Sequence, residues 1–105
     1  MAKSKKNQSF VLGTTGNDSN VKDVSGVTSA RVQITASNWT AGSYQVMETY
    51  DGTNFVNVGS AVTGANASVA VSDAALAVKV HTTTAATAGG AAAVSGVSLL
   101  GDSGL

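Results

Sequence analysis

The chain has 105 residues, enough for one domain, and its formal net charge of +0 supplies no overall field to draw it to nucleic acid or an anionic membrane. Only 11% of the residues are Asp, Glu, Lys or Arg, against roughly 25% in an ordinary soluble domain, so the surface must be built mainly from Ser, Thr, Asn, Gln and Gly. With 43% hydrophobic residues and no excess charge the chain should fold, and without Cys it can make neither a disulfide nor a thiolate metal site.

Residues 1–20 read as a flexible N-terminal arm. Met1 to Ser9 is polar and basic through Lys3, Lys5 and Lys6, with no apolar h-region of the kind a signal peptide needs. Phe10, Val11 and Leu12 form a short apolar patch, and Gly13 to Asn20 is a run of turn-forming residues. Such an arm should order only against a partner. Phe10, Val11 and Leu12 would then act as its anchor, and the three lysines would supply weak, salt-sensitive attraction.

Residues 21–105 read as one antiparallel β-sandwich, all-β and either Ig-like or jelly-roll-like. Val21 to Val24 suggests a short strand. In Ser29 to Ala36, Ala30, Val32, Ile34 and Ala36 alternate with Arg31, Gln33 and Thr35, the period of a strand with one dry face. Ser43 to Tyr50 and Phe55 to Val58 flank Asp51-Gly52, a hairpin signal because Gly accepts the positive φ of a tight turn. Alternation returns around Val69 and Val71, and again through Leu76, Val78 and Val80. A last strand runs from Ala91 to Leu100, with Gly96 a candidate bulge. Between them, Thr84 to Gly90 reads as a loop, since Gly89-Gly90 opposes a helix. The total is roughly seven strands, the number a sandwich of this length holds. Ala30, Val32, Ile34, Val46, Val69, Val71, Leu76, Val78 and Val80 are expected to be mainly buried. No segment approaches the roughly 20 apolar residues of a membrane helix.

Catalytic and metal chemistry find little support. His81, the one histidine, should point outward beside Lys79, with no carboxylate near it in sequence to make it a catalyst. Glu48 and Asp51 are close in sequence, but one strand-to-turn segment does not make a glycosidase cleft, and Asp51 is better placed to cap its own turn. Asp51 with Asn54, or Asn17-Asp18-Ser19-Asn20, offers only part of a calcium shell. There is no phosphate-loop spacing, and three lysines without aromatic residues among them do not suggest nucleic-acid binding. The expectation is therefore a protein that is not an enzyme, with no catalytic, cofactor-binding or metal residues. Trp39, Tyr44, Tyr50 and Phe55 fall in or beside one hairpin. Tyr44 reads as core, while Trp39 and Tyr50 suit either a plug at the end of the sandwich or a binding patch. The candidate partner-binding residues are Lys3, Lys5, Lys6, Phe10, Val11, Leu12, Trp39 and Tyr50.

The expected core is rich in Val and Ala, and each missing methylene forgoes about 0.8 kcal/mol of burial. A domain with so small a reserve gains from oligomerisation, and proline-free strand edges with few charges oppose it only weakly. A homo-oligomer is expected, a trimer first.

Three stretches carry a family resemblance. They are Asp23-Val24-Ser25-Gly26-Val27-Thr28-Ser29-Ala30-Arg31-Val32-Gln33-Ile34, Tyr50-Asp51-Gly52-Thr53-Asn54-Phe55-Val56-Asn57-Val58, and Ala77-Val78-Lys79-Val80-His81-Thr82-Thr83. Together they resemble the small β-sandwich virion proteins of tailed bacteriophages. The likeness spans about Asp23 to Leu100. It departs at the hairpin, which often carries Trp where Phe55 stands. It implies a capsid decoration or cement protein, made in the host cytoplasm and held on the virion head surface by the major capsid protein or another virion protein. The alternative it implies is a carbohydrate- or receptor-binding module of a fibre or tail, where Trp39 and Tyr50 would meet a surface glycan.

Overall fold

The computed structural model describes residues 3–99, with side chains placed over 7–97. Within that range there are nine strands and no helix: β1 (Lys3–Ser9), β2 (Lys22–Asp23), β3 (Val27–Thr35), β4 (Ser43–Thr49), β5 (Phe55–Asn57), β6 (Val62–Thr63), β7 (Ala67–Ala70), β8 (Ala77–Thr84) and β9 (Ala91–Leu99). They form two antiparallel sheets. The first has the order β1-β9-β3-β7, and the second β2-β8-β4-β5, with β6 also paired to β4. Only the run β4–β5–β6 stays in one sheet, and every other connection crosses between sheets. The expected all-β sandwich is the observed architecture.

The alternation seen in sequence sets the two faces. Ala30, Val32 and Ile34 of β3, Tyr44 and Val46 of β4, Val78 and Val80 of β8, and Ala92 and Val94 of β9 are all buried, most of them completely. The core is as Val-rich as the sequence suggested. Side chains of intermediate exposure, Leu12, Trp39, Val58, Val69 and Ala86, pack around its margin.

Several expectations are corrected. Of the arm expected over 1–20, the described residues 3–20 do not lie off the sandwich: β1 adds to the free edge of β9, with Lys5 opposite Val97 and Ser9 opposite Ala93. Phe10 then donates its backbone N–H to Ala92 O (2.9 Å) and buries its ring in the core. From there the chain crosses to the second sheet and runs along β8 ahead of β2. Gly16 N–H donates to Thr82 O, Thr82 N–H to Asn17 O and Ser19 N–H to Val80 O. Edge strands need only backbone pairing on one side, so polar residues without a period suffice to form them. β6 was the other strand not expected, at two residues too short to show alternation. Leu76 has the inward parity of Val78 but lies beyond the end of β8 and is 41% exposed, and Val69 is half-buried on the edge strand β7.

The irregularity near Gly96 falls on the opposite strand. Thr28 pairs with Val97 and Arg31 with Ser95, so β3 carries one extra residue across from Gly96, and Ser29 takes φ 55°. Gly96 is required for closeness: a Cβ there would collide with Val27 Cγ1 and sit 3.2 Å from Ala30 Cα. Leu100 lies outside the described residues.

Candidate functional site

Along β8 the residues opposite in parity to the core, Lys79, His81 and Thr83, face away from the first sheet. The segment held beside β8 brings Asp18 to them. Asp18 Oδ2 accepts a hydrogen bond from Lys79 Nζ at 2.8 Å, and Asp18 Oδ1 lies 2.6 Å from His81 Nδ1. Lys79 Nζ also stands 4.4 Å from the centre of the Phe55 ring, a cation–π distance. The Lys79 ammonium, and after it His81, hold the Asp18 carboxyl below its ordinary value of 3.8. Sequence reasoning placed His81 in solvent; in the fold it pairs with a carboxylate 63 positions away.

This cluster borders an open groove of about 540 Å³ on the outside of the second sheet, lined also by Asn17, Gln45, Met47, Asn57 and Thr83. Gln45 Nε2 donates to Val46 O and Val58 O at 2.9 and 3.0 Å, which fixes one wall of it. Amides, a histidine and a thioether floor can hydrogen-bond and pack on a small polar ligand. Both Asp18 oxygens are already engaged, so the carboxylate works as a clamp between the crossing segment and β8. Among the described residues, no three of His, Asp and Glu gather as a metal ion would need.

The outer face of the first sheet is of a different kind. Gln33 of β3 lies between Ala93 of β9 and Ser68 of β7, and Arg31 lies between Ser95 and Ala70. Arg31 is the one charged residue on β9, β3 and β7. It is laid across the sheet, with Nε and Nη2 donating to Ser68 Oγ at 3.1 and 3.0 Å. The result is a surface of small, mostly uncharged residues over these three strands.

No family, curated protein or solved structure matches this chain.

The residues singled out in sequence are dispersed. Phe10 is core, Leu12 packs at its margin, and Val11 alone of the three is widely exposed, at 74%. The backbone of Lys3, Lys5 and Lys6 belongs to β1, and their side chains lie outside the described set. Trp39 and Tyr50 flank opposite ends of β4, a seven-residue strand, and so stand roughly 20 Å apart or more at about 3.4 Å per residue. Trp39 is the plug. It meets Tyr44 edge-on with ring centres 5.8 Å apart and donates Nε1–H to Asn66 Oδ1 at 2.7 Å. Tyr44 is buried, and its hydroxyl accepts from Ala86 N at 2.9 Å. Tyr50 is exposed at the other end.

Asp51 caps its turn as expected. Its Oδ1 accepts from Thr53 N and Asn54 N at 2.7 and 2.8 Å, and Oδ2 from Asn54 Nδ2 at 2.8 Å. These bonds, the backbone ones first, hold its carboxyl far below the usual carboxylate range. Glu48 is buried on the inner side of β4, where it accepts from Ser72 N at 3.1 Å. It shares no cleft with Asp51.

Proposed function

We propose that this domain acts by binding rather than catalysis, as a decoration or cement protein on the head of a tailed phage. The observation that carries this reading is the outer face of the first sheet. Across β9, β3 and β7 it is set mainly with Ala, Ser, Thr, Gln and Val97, and the one charged residue of those three strands, Arg31, is already hydrogen-bonded to Ser68. Such a face can meet another protein closely with little charge to desolvate. Contacts that are weak singly would gain from repetition over a shell, where a subunit touches several neighbours at once. The resemblance of the Asp23–Ile34, Tyr50–Val58 and Ala77–Thr83 stretches to virion sandwiches points to the major capsid protein as partner, with the protein made in the host cytoplasm and carried on the particle as a homo-oligomer. The test adds purified protein to particles stripped of it. Saturable binding should raise their thermal or osmotic stability, and Gln33→Glu with Ala93→Glu should abolish it. Absence of binding to the shell would end the reading.

The groove beside His81 favours a second reading, a glycan- or receptor-binding module of a fibre or tail. Its amide lining takes the place of the Trp39–Tyr50 patch, whose members the fold separates. Binding that occupies particles without stabilising them, and that His81→Ala or Asn57→Ala removes, would select this reading over the first.

A further inference from the structure

The end of the sandwich where β4 stops and β8 begins combines apolar exposure with charge of one sign. Asp23 pairs with Ala77, Ala77 with Thr49, and Thr49 with Phe55, one row across the second sheet. Leu76 N–H donates to Thr49 O at 2.8 Å, which sets Leu76 beside Tyr50 just past that row. Val56 pairs with Glu48, a diagonal step of about 7–8 Å from Tyr50. Tyr50, Val56 and Leu76 are 52%, 48% and 41% exposed, three of the five large apolar side chains so exposed among the described residues.

Around them stand Asp23, Asp51 and Asp73, the last anchored by accepting Ser29 N–H at 3.0 Å. Three of the six acidic residues of the chain thus rim one apolar patch. Among the described residues none of the three is in an ion pair. Half the basic residues of the chain, Lys3, Lys5 and Lys6, occupy the start of β1. There the register sets Lys3 opposite Leu99 and Lys5 opposite Val97, which pairs in turn with Thr28. Thr28 follows directly on the Asp23–Val27 turn. The basic stretch and the acidic rim therefore lie at the same end of the molecule.

We propose that this end is a self-association surface for a second copy of the chain. Tyr50, Val56 and Leu76 of the two copies meet at its centre, and the Lys3–Lys6 stretch of each copy lies against the acidic rim of the other. Because both charge sets share one end, a twofold axis through the patch satisfies both contacts at once, as an isologous interface requires. Complementary charge fixes the register, and the apolar centre supplies most of the affinity. The pairing is a property of the free protein in solution. It needs no particle and is separate from any threefold arrangement on one.

Sedimentation velocity of the full chain over a range of concentration and salt tests this. A dimer that weakens as salt rises is expected. Tyr50→Ser with Leu76→Ser should weaken it about tenfold or more, with circular dichroism confirming the fold. Lys3→Glu/Lys5→Glu/Lys6→Glu and Asp23→Lys/Asp73→Lys should each fail to pair alone, and should pair when mixed. As a milder control, Asp23→Asn/Asp73→Asn keeps the turn acceptors and should flatten the salt dependence. A chain that stays monomeric at millimolar concentration overturns the proposal. So does a dimer indifferent to Tyr50 and Leu76, or a charge-reversed mixture of folded variants that remains monomeric. Particle binding does not enter these measurements, so failure here leaves the decoration reading to its own test.

Discussion

At the scale of single residues the fold contains one uncompensated polar atom and one heavily used carboxylate. Thr82 is fully buried on β8, and its hydroxyl is the one buried side-chain polar atom without a partner among the described residues. Leaving such a group unpaired costs about 1–3 kcal/mol, whereas a methyl of the same shape carries no such penalty. Thr82→Val should therefore raise stability by about 1 kcal/mol, read as a higher urea midpoint with unchanged slope. Asp51 acts in the opposite sense. Its folded carboxyl titrates far below the ordinary 3.8, so the stabilisation it gives is complete above that value and is lost as the pH falls below it. Urea midpoints followed from pH 6 downward should decline for the natural chain. In Asp51→Asn, which lacks the titrating group, the stability at pH 6 should be lower and the decline shallower.

At the scale of elements, Gly96 and β1 each make a sharp prediction. Gly96→Ala forces a methyl against Val27 and the backbone of Ala30 at the β3 bulge, an overpacking that should cost about 1–3 kcal/mol by chemical denaturation. Deleting residues 1–12 removes β1 and the buried Phe10 ring, a loss of about 3 kcal/mol or more, and uncovers the edge of β9. A true arm could be cut without harm. Here the shortened chain should melt earlier and scatter light on concentration. The elements legible in sequence were those whose residues carry the pattern themselves: the alternation of β3 and β8, and the Asp51-Gly52 turn, with Gly52 at φ 84°. β1 was illegible because an edge strand is held by backbone bonds that any polar sequence can make. The Asp18–Lys79–His81 cluster was illegible for another reason. Its carboxylate comes from a polar run 63 positions from the histidine, and nothing in either stretch announces the other. Leu76 shows the limit of parity, which tells the side of a sheet but not where the opposing sheet ends.

For the molecule as a whole, nearly every connection changes sheets, and the first described strand pairs with the last. Native pairing must therefore close long loops before it is rewarded, which places folding in the millisecond-to-second range typical of all-β sandwiches, at roughly 1–1000 per second. Stopped-flow refolding by the single Trp39 should show that slow phase, and submillisecond folding would contradict the topology. The pairing of β1 with β9 has a mechanical consequence as well. Lys3 and Leu99 are cross-strand neighbours in an antiparallel pair, so tension between the two chain ends opens that ladder from its tip. The bonds then break one after another, as a zipper does, instead of sharing the load in shear. Pulled by its ends, the domain should yield at low force. Sheared along the strands of its first sheet, the β1–β9 and β9–β3 ladders would instead share the load over many bonds at once.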